Sequence, residues 1–172
     1  MKAIDLGLMA NHLKTHDAVI TKLKRYYCST NHPNLKEILA LQIAVMESHV
    51  KVMLLLISPS HHGYVTVPTI EQIKPFQATC QPNSSLSDQD IALEAHSTAK
   101  SQAGDNFSSA LFMQNKNVKE AHFHMAYQQA RILEWYGQFI KKMGWKVDPS
   151  VSDAERIKTI QQYQALSNRT TW

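Results

Sequence analysis

Four of the six prolines in this chain fall between residues 59 and 82, and only five glycines occur in all 172 residues. Two long blocks on either side are therefore nearly free of helix breakers, a pattern that points to an all-α fold. The clearest helix lies in the second block, from Asn117 to Pro149. Val118, Ala121, Met125, Ile132, Trp135, Phe139 and Met143 recur there at steps of three and four, with Gln128 filling one turn. That spacing gathers them on one face of a helix. Asn117 with Glu120 reads as a capping box, Lys141 and Lys142 suit the negative end of the helix dipole, and Gly144 suits the residue just past the end. A helix of roughly 27 residues is about 40 Å long and needs partners of similar length.

The rest of the chain supplies them. A first helix is expected over about Leu6 to Cys28, with an inner face of Leu6, Met9, Leu13, His16, Ile20, Leu23 and Tyr27 and with His12 and Val19 on its flank. The break at Ser29–Pro33 is short, so the next helix returns antiparallel. It should start at Asn34, run to about Ser58 and be the most buried, facing inward with Leu35, Ile38, Val45, His49, Val52 and Leu56, widened by Met46, Met53 and Ile57. A third helix, about Ser87 to Met113 with Ser87 as cap, has a face of small residues: Ala92, His96, Ala99, Ala103, Phe107 and Ala110. Between them, residues 59–86 contain Pro59, Pro68, Pro75 and Pro82 and read as a long crossover, with Tyr64–Val67 extended. Ser152 to Glu155 reads as a capping box that opens a short C-terminal helix to about Leu166, with Ile157, Ile160 and Gln164 toward the bundle. The tail from Ser167 to Trp172 has no periodicity. The expectation is a single domain over residues 1–172: a ferritin-like, up-down-down-up four-helix bundle with a long crossover and a short C-terminal helix.

Composition narrows the function. The formal charge is +4 with basic residues scattered, which favours a solvated surface over nucleic-acid binding. The strongly apolar run Val50–Ile57 is far shorter than a membrane span, and Asp5 and Asn11 interrupt any signal peptide. Cys28 and Cys80 make neither a disulfide framework nor a zinc site. Their default reading is two reduced thiols, with a later cross-link left open.

Ferritin-like metal enzymes need Glu-x-x-His pairs, whose spacing puts both ligands on one face. This chain has Glu47-x-His49, Glu94-x-His96 and Glu120-x-His122 instead. Residues two apart on a helix diverge by roughly 200°, so a dimetal carboxylate centre is not expected. Helical rise places His16, His49 and His96 in neighbouring layers, and His122 and His124 in another. They could converge on a metal. The preferred alternative is that buried histidines hydrogen-bond to Tyr or Gln and set the register. The adjacent His61 and His62 read as a surface pair, and His12 with His16 as a core edge. Trp135, Tyr136 and Trp145 are expected to pack the bundle end. No phosphate loop or nucleophile elbow occurs. No catalytic, cofactor or metal residue is assigned, and no enzyme activity is expected.

Three stretches of the second half carry a family resemblance: Asp88-Gln89-Asp90-Ile91-Ala92-Leu93 followed by Lys100, Asn117-Val118-Lys119-Glu120, and Phe139 to Gly144-Trp145. In the first half, Leu13 to Asp17 and His32 to Lys36 add to it. Together these resemble the coat F family of spore coat proteins from endospore-forming bacteria, over most of residues 6–149. Leu133-Glu134-Trp135 stands where the family often has a histidine, and Lys146 where it has a tyrosine. The resemblance implies a ferritin-like bundle that has lost its metal centre, made in the mother cell cytoplasm and deposited in the spore coat. Its expected partners are other coat proteins, or a second copy through the Ala-rich face of the third helix and aromatics near Trp145. The rival reading is an oxidase or metal store using the inward histidines. A third is a small-molecule binder, which would need an apolar cavity between helices.

Overall fold

A computed structural model describes residues 1–80, 86–146 and 148–167, with the side chain of Ala165 excepted. The described residues contain five α-helices and no strand: α1 (Ala3–Ser29), α2 (Pro33–Ile57), α3 (Asp88–Phe112), α4 (Lys116–Lys142) and α5 (Asp153–Ser167). Part of the expected crossover, including Pro82, and the tail over 168–172 lie outside them.

The helix starts follow capping chemistry. Ser87 Oγ accepts the Asp90 N–H at 3.1 Å, and Ser152 and Glu155 bond reciprocally at the start of α5. Such caps are each worth about 1 kcal/mol. Two starts differ from the sequence reading. α4 is capped by Asn115, whose Oδ1 accepts from Val118 N at 3.2 Å. Asn117, expected as the cap, instead bonds the Val65 backbone in both directions, at 2.9 and 2.7 Å. α2 starts at Pro33, with His32 as the flanking residue, because proline suits a first-turn position whose N–H has no partner. Gly144 ends α4 with φ +71°, a left-handed geometry that costs glycine little.

α1 packs on α2, α2 on α4, α4 on α3 and α3 on α1. The long connector rises along the bundle from the end of α2. Val65 sits at the start of α4, the Pro68 carbonyl accepts from Gln128 Nε2 at 2.7 Å, and Phe76 N donates to Ala40 O at 3.1 Å. It includes a 3₁₀ turn, Ile70–Gln72, and Tyr64 to Val67 form no strand. α1 and α4 thus run one way, and α2 and α3 the other. At the upper end Thr30 bonds Asp88. At the lower end Asp5 Oδ1 accepts from Gln114 N and Asn115 N at 2.7 and 3.3 Å, and Oδ2 from Lys2 N at 3.0 Å. Burial acts to raise the Asp5 carboxyl, but these three N–H donors hold it below its ordinary value.

The connector is also covalently tied. Cys28 and Cys80 form a disulfide with Cα atoms 5.1 Å apart. This corrects the reading of two reduced thiols: the crossover returns Cys80 to the end of α1, a proximity that sequence separation hides.

Apolar side chains fill two clusters. The upper one includes Leu23, Leu35, Leu39, Ile43, Ile132, Tyr136 and Ile140, and the lower one Met9, Val52, Met53, Met113, Val118 and Met125. Burying one such side chain contributes about 1.5–3 kcal/mol. α2 is long and apolar enough to cross a membrane, with mean hydropathy 1.6, yet over half of that stretch is buried in the bundle. The small face of α3 is real but shifted: Ala92, Ala95, Ala99 and Ala110 are buried, and Phe107 is exposed. Leu6 and Met143 are exposed too, and Trp135 is only half-buried. Tyr136, expected at the bundle end, is fully buried. The upper end is closed by His32, Phe139 and Trp145, edge to face at 4.9 and 5.6 Å. Helix α5 departs most from expectation. Ile157, Ile160, Tyr163 and Leu166 are all more than half exposed, so its inward face toward the bundle is not formed.

Candidate functional site: a buried histidine layer

Between the two apolar clusters lies a polar layer. His12, His16, His49, His122, Gln102, Asn106, Gln128 and Gln129 are all buried. His16 from α1 and His49 from α2 lie with ring centroids 5.7 Å apart, and His12 and His122 with centroids 5.0 Å apart. His16 and His49 therefore meet as the helical rise suggested. His96 does not join them. It is half-buried, with its Nε2 3.9 Å from where a Cβ on Gly137 would stand. His122, read from helical rise as belonging to another layer, and His12, read as flank, do belong to the cluster. His122 joins through His12, which sits one turn from His16 on α1, so the histidines fill two turns of the bundle and not one level. His124 is exposed.

Hydrogen bonds determine which ring nitrogens carry protons. His16 Nδ1 bonds the His12 carbonyl at 2.8 Å, and His122 Nδ1 the Val118 carbonyl at 3.0 Å. A carbonyl only accepts, so both Nδ1 atoms donate, leaving both Nε2 atoms as lone pairs in the neutral rings. Gln128 spends its amide N–H on the Pro68 carbonyl, which turns Oε1 toward His49 Nε2 at 2.8 Å. His49 Nε2 must then be the donor, and His49 Nδ1 is the lone pair. That Nδ1 faces His16 Nε2 at 3.5 Å. His12 Nε2 completes the layer against Ser109 Oγ at 2.9 Å.

Burial disfavours the charged form of each ring. It pulls His49 down to about 3, and the neighbouring His16 acts in the same direction. Burial likewise pulls His16 and His122 down to about 4. His12 and His96 are lowered for the same reason, with Asp105 opposing the shift at His12. Above the histidines, Tyr136 Oη donates to Gln42 Oε1 at 2.9 Å, and Gln42 Nε2 to Gln129 Oε1 at 3.4 Å. Burial raises the Tyr136 hydroxyl well above its ordinary value.

The acids beside the histidines face out. Glu47 pairs with Lys24 at 2.7 Å and Glu94 with Lys22 at 3.3 Å, while Glu120 bonds Tyr64. Among the described residues, no three His, Cys, Asp or Glu side chains are grouped closely enough to hold a metal ion as they stand. The pair His61 and His62 is exposed on the connector. It lines a cavity of about 590 Å³ at the lower end, with Met1, Leu56, Tyr64 and Asn117. That cavity lies at the mouth of the bundle, not between its helices.

Gln42 and Gln129 were legible only as spacing. Gln42 and His49 are seven apart, as are His122, Gln129 and Tyr136, which repeats one helical face every two turns. The described chain is thus an all-α helical bundle with a histidine-rich polar layer. No protein-family model matches it, and no curated protein and no solved structure matches it either.

Proposed function

We propose that this chain is a non-enzymatic structural or interaction component of the bacterial spore coat, built on a ferritin-like bundle without a carboxylate dimetal centre. The observation that supports it best is the outward aim of Glu47, Glu94 and Glu120. A dimetal site needs those carboxylates beside the imidazoles, and here lysines and a tyrosine hold them at the surface. The coat assignment itself rests on the resemblance to the coat F family, and with it the origin in the mother cell cytoplasm. Contacts with coat proteins or a second copy fall to exposed apolar side chains such as Phe107, Leu111, Phe112 and Tyr127. The Ala-rich face of α3 is buried and not free for this role.

The test is to express an epitope-tagged copy in an endospore-forming bacterium and extract purified spores. Recovery in the coat fraction is expected. Confinement to the soluble cytoplasm of vegetative cells would defeat the assignment. Turnover of a substrate by iron- or manganese-loaded protein would favour the rival oxidase.

A further inference from the structure

The crossover is fastened to the bundle in two unequal ways. Its lower part is clamped. Val65 is buried, its backbone bonds Asn117 in both directions, and the Pro68 carbonyl accepts from Gln128. The upper part, from Thr69 to Cys80, lies more loosely. Ile70, Ile73 and Phe76 are half-buried against the upper cluster, and every other residue from Thr69 to Thr79 is exposed. Among the described residues, the 3.1 Å bond from Phe76 N to Ala40 O is its one backbone hydrogen bond to a helix. The Phe76 ring meets Tyr27 edge to face at 5.3 Å, and Lys24 stands 5.1 Å over it. The far end is held by the Cys28–Cys80 disulfide, whose two residues are only half-buried.

Keeping such a segment on one path costs conformational entropy at every residue. Three half-buried side chains and one backbone bond offset little of that cost. Exposed segments with few buried contacts are the first to open. The covalent bond is therefore what keeps this part of the crossover seated.

We propose that the Cys28–Cys80 disulfide is a reducible latch. A dithiol opens it and releases residues 69–80 from the bundle, while the four long helices and the Val65 clamp stay in place. One thiolate of the dithiol attacks a disulfide sulfur, forms a mixed disulfide and expels the other cysteine as a thiolate. The second thiolate of the reagent then closes a cyclic disulfide and expels the remaining cysteine. Two electrons and two protons pass from the dithiol to the protein, which gains two thiols.

A groove of about 340 Å³ lies under the latch. Tyr27, Lys36 and Ala40 wall it on the helix side, and Pro75, Phe76 and Gln77 on the crossover side. Lifting the crossover wall exposes the Tyr27 ring and the Ala40 carbonyl. The helices keep their packing because the fully buried Leu23, Leu35, Leu39 and Ile43 belong to α1 and α2, not to the crossover. The chain thus has a closed, oxidised form and an open, reduced form. Neither depends on the spore-coat reading.

The test follows amide hydrogen exchange in the oxidised whole chain and in the same protein held in millimolar dithiothreitol, well below its melting temperature. Phe76, Val65 and the middle of α2 should all be protected in the oxidised form. Reduction should bring Phe76 close to the rate of an unstructured chain, while Val65 and α2 stay at least tenfold slower than that rate. Trypsin cleavage after Lys74 should quicken at least tenfold. Cys28→Ser/Cys80→Ser should match the reduced parent with and without dithiothreitol; if it fails to fold, the reduced parent decides alone. Protection of Phe76 that survives reduction would overturn the latch. So would loss of protection at Phe76, Val65 and α2 together, or a mass showing that the folded protein keeps its disulfide in dithiothreitol.

Discussion

His49 and Gln128 form the joint on which three parts of the chain meet. His49 Nε2 donates to Gln128 Oε1 at 2.8 Å, and the same amide donates to the Pro68 carbonyl at 2.7 Å. One side chain thus connects α2, α4 and the crossover, and it also determines the tautomer of His49. A glutamine is well suited here because it offers an acceptor and a donor on one planar group.

Replacing Gln128 by Leu keeps the volume and removes both bonds. It leaves the buried His49 N–H and the half-buried Pro68 carbonyl unpaired. The expected loss is about 1–3 kcal/mol for a buried polar group left without its partner. Urea unfolding followed by circular dichroism measures it, and an unchanged midpoint would show that the joint contributes nothing.

Acid should destabilise the protein earlier than carboxylates alone would. His16, His49 and His122 have folded values of about 4, 3 and 4, below the ordinary value of about 6.5. The unfolded chain therefore binds more protons between these limits. The stabilising effect is complete above about pH 6.5 and declines as pH falls toward the folded values. Each ring contributes a slope of about 1.4 kcal/mol per pH unit inside that window. The rings of the layer oppose one another's protonation, with His12 and His122 acting on His16 and all three on His49, and Asp105 favours protonation at His12. Urea midpoints at a series of pH values check this. A flat profile between pH 7 and pH 5 would contradict it.

Reducing the Cys28–Cys80 bond should lower stability without removing the helices. The disulfide spans 52 residues, and closing a loop of that size lowers the entropy of the unfolded chain by an amount equivalent to about 4 kcal/mol. Thermal melts with and without dithiothreitol, and of Cys28→Ser/Cys80→Ser, should agree with each other and lie below the oxidised parent. Identical melting of oxidised and reduced protein would rule out the constraint.

Asp5 controls the lower end. Its carboxylate accepts from the backbone of Gln114 and Asn115, where α3 turns into α4, and from Lys2. Its folded value is lowered, so its contribution is present above the unfolded value and is lost as pH falls through the folded one. Asp5→Ala should cost about 1–3 kcal/mol near neutral pH, and Asp5→Asn less, since an amide oxygen still accepts. The gap between parent and Asp5→Ala should close at low pH; a gap that persists there would assign the loss to packing.

How far the sequence could be read depended on the kind of signal. Breakers and periodicity are local, so the four long helices, their order and the short turns between hairpins were legible. So was the outward aim of Glu47, Glu94 and Glu120, since it follows from the angle between residues two apart. The faces were read less well. Leu6, Trp135 and Met143 are apolar at inner spacing but sit near helix ends or at the edge of the stripe, where neighbouring helices no longer cover them. Ile157 and Ile160 have the spacing of an inner face, yet α5 packs against none of the four long helices in this way.

Helix content and the separation of acid from imidazole were settled by the chain itself, because both depend only on backbone rise and rotation per residue. The meeting of His12 with His122, the facing lone pairs of His16 and His49, and the bond between Cys28 and Cys80 were decided by tertiary structure alone. Those contacts depend on how far each helix slides against the next and on where the crossover returns. Neither is encoded in any one helix, and both are set by the fit of two apolar clusters above and below the polar layer.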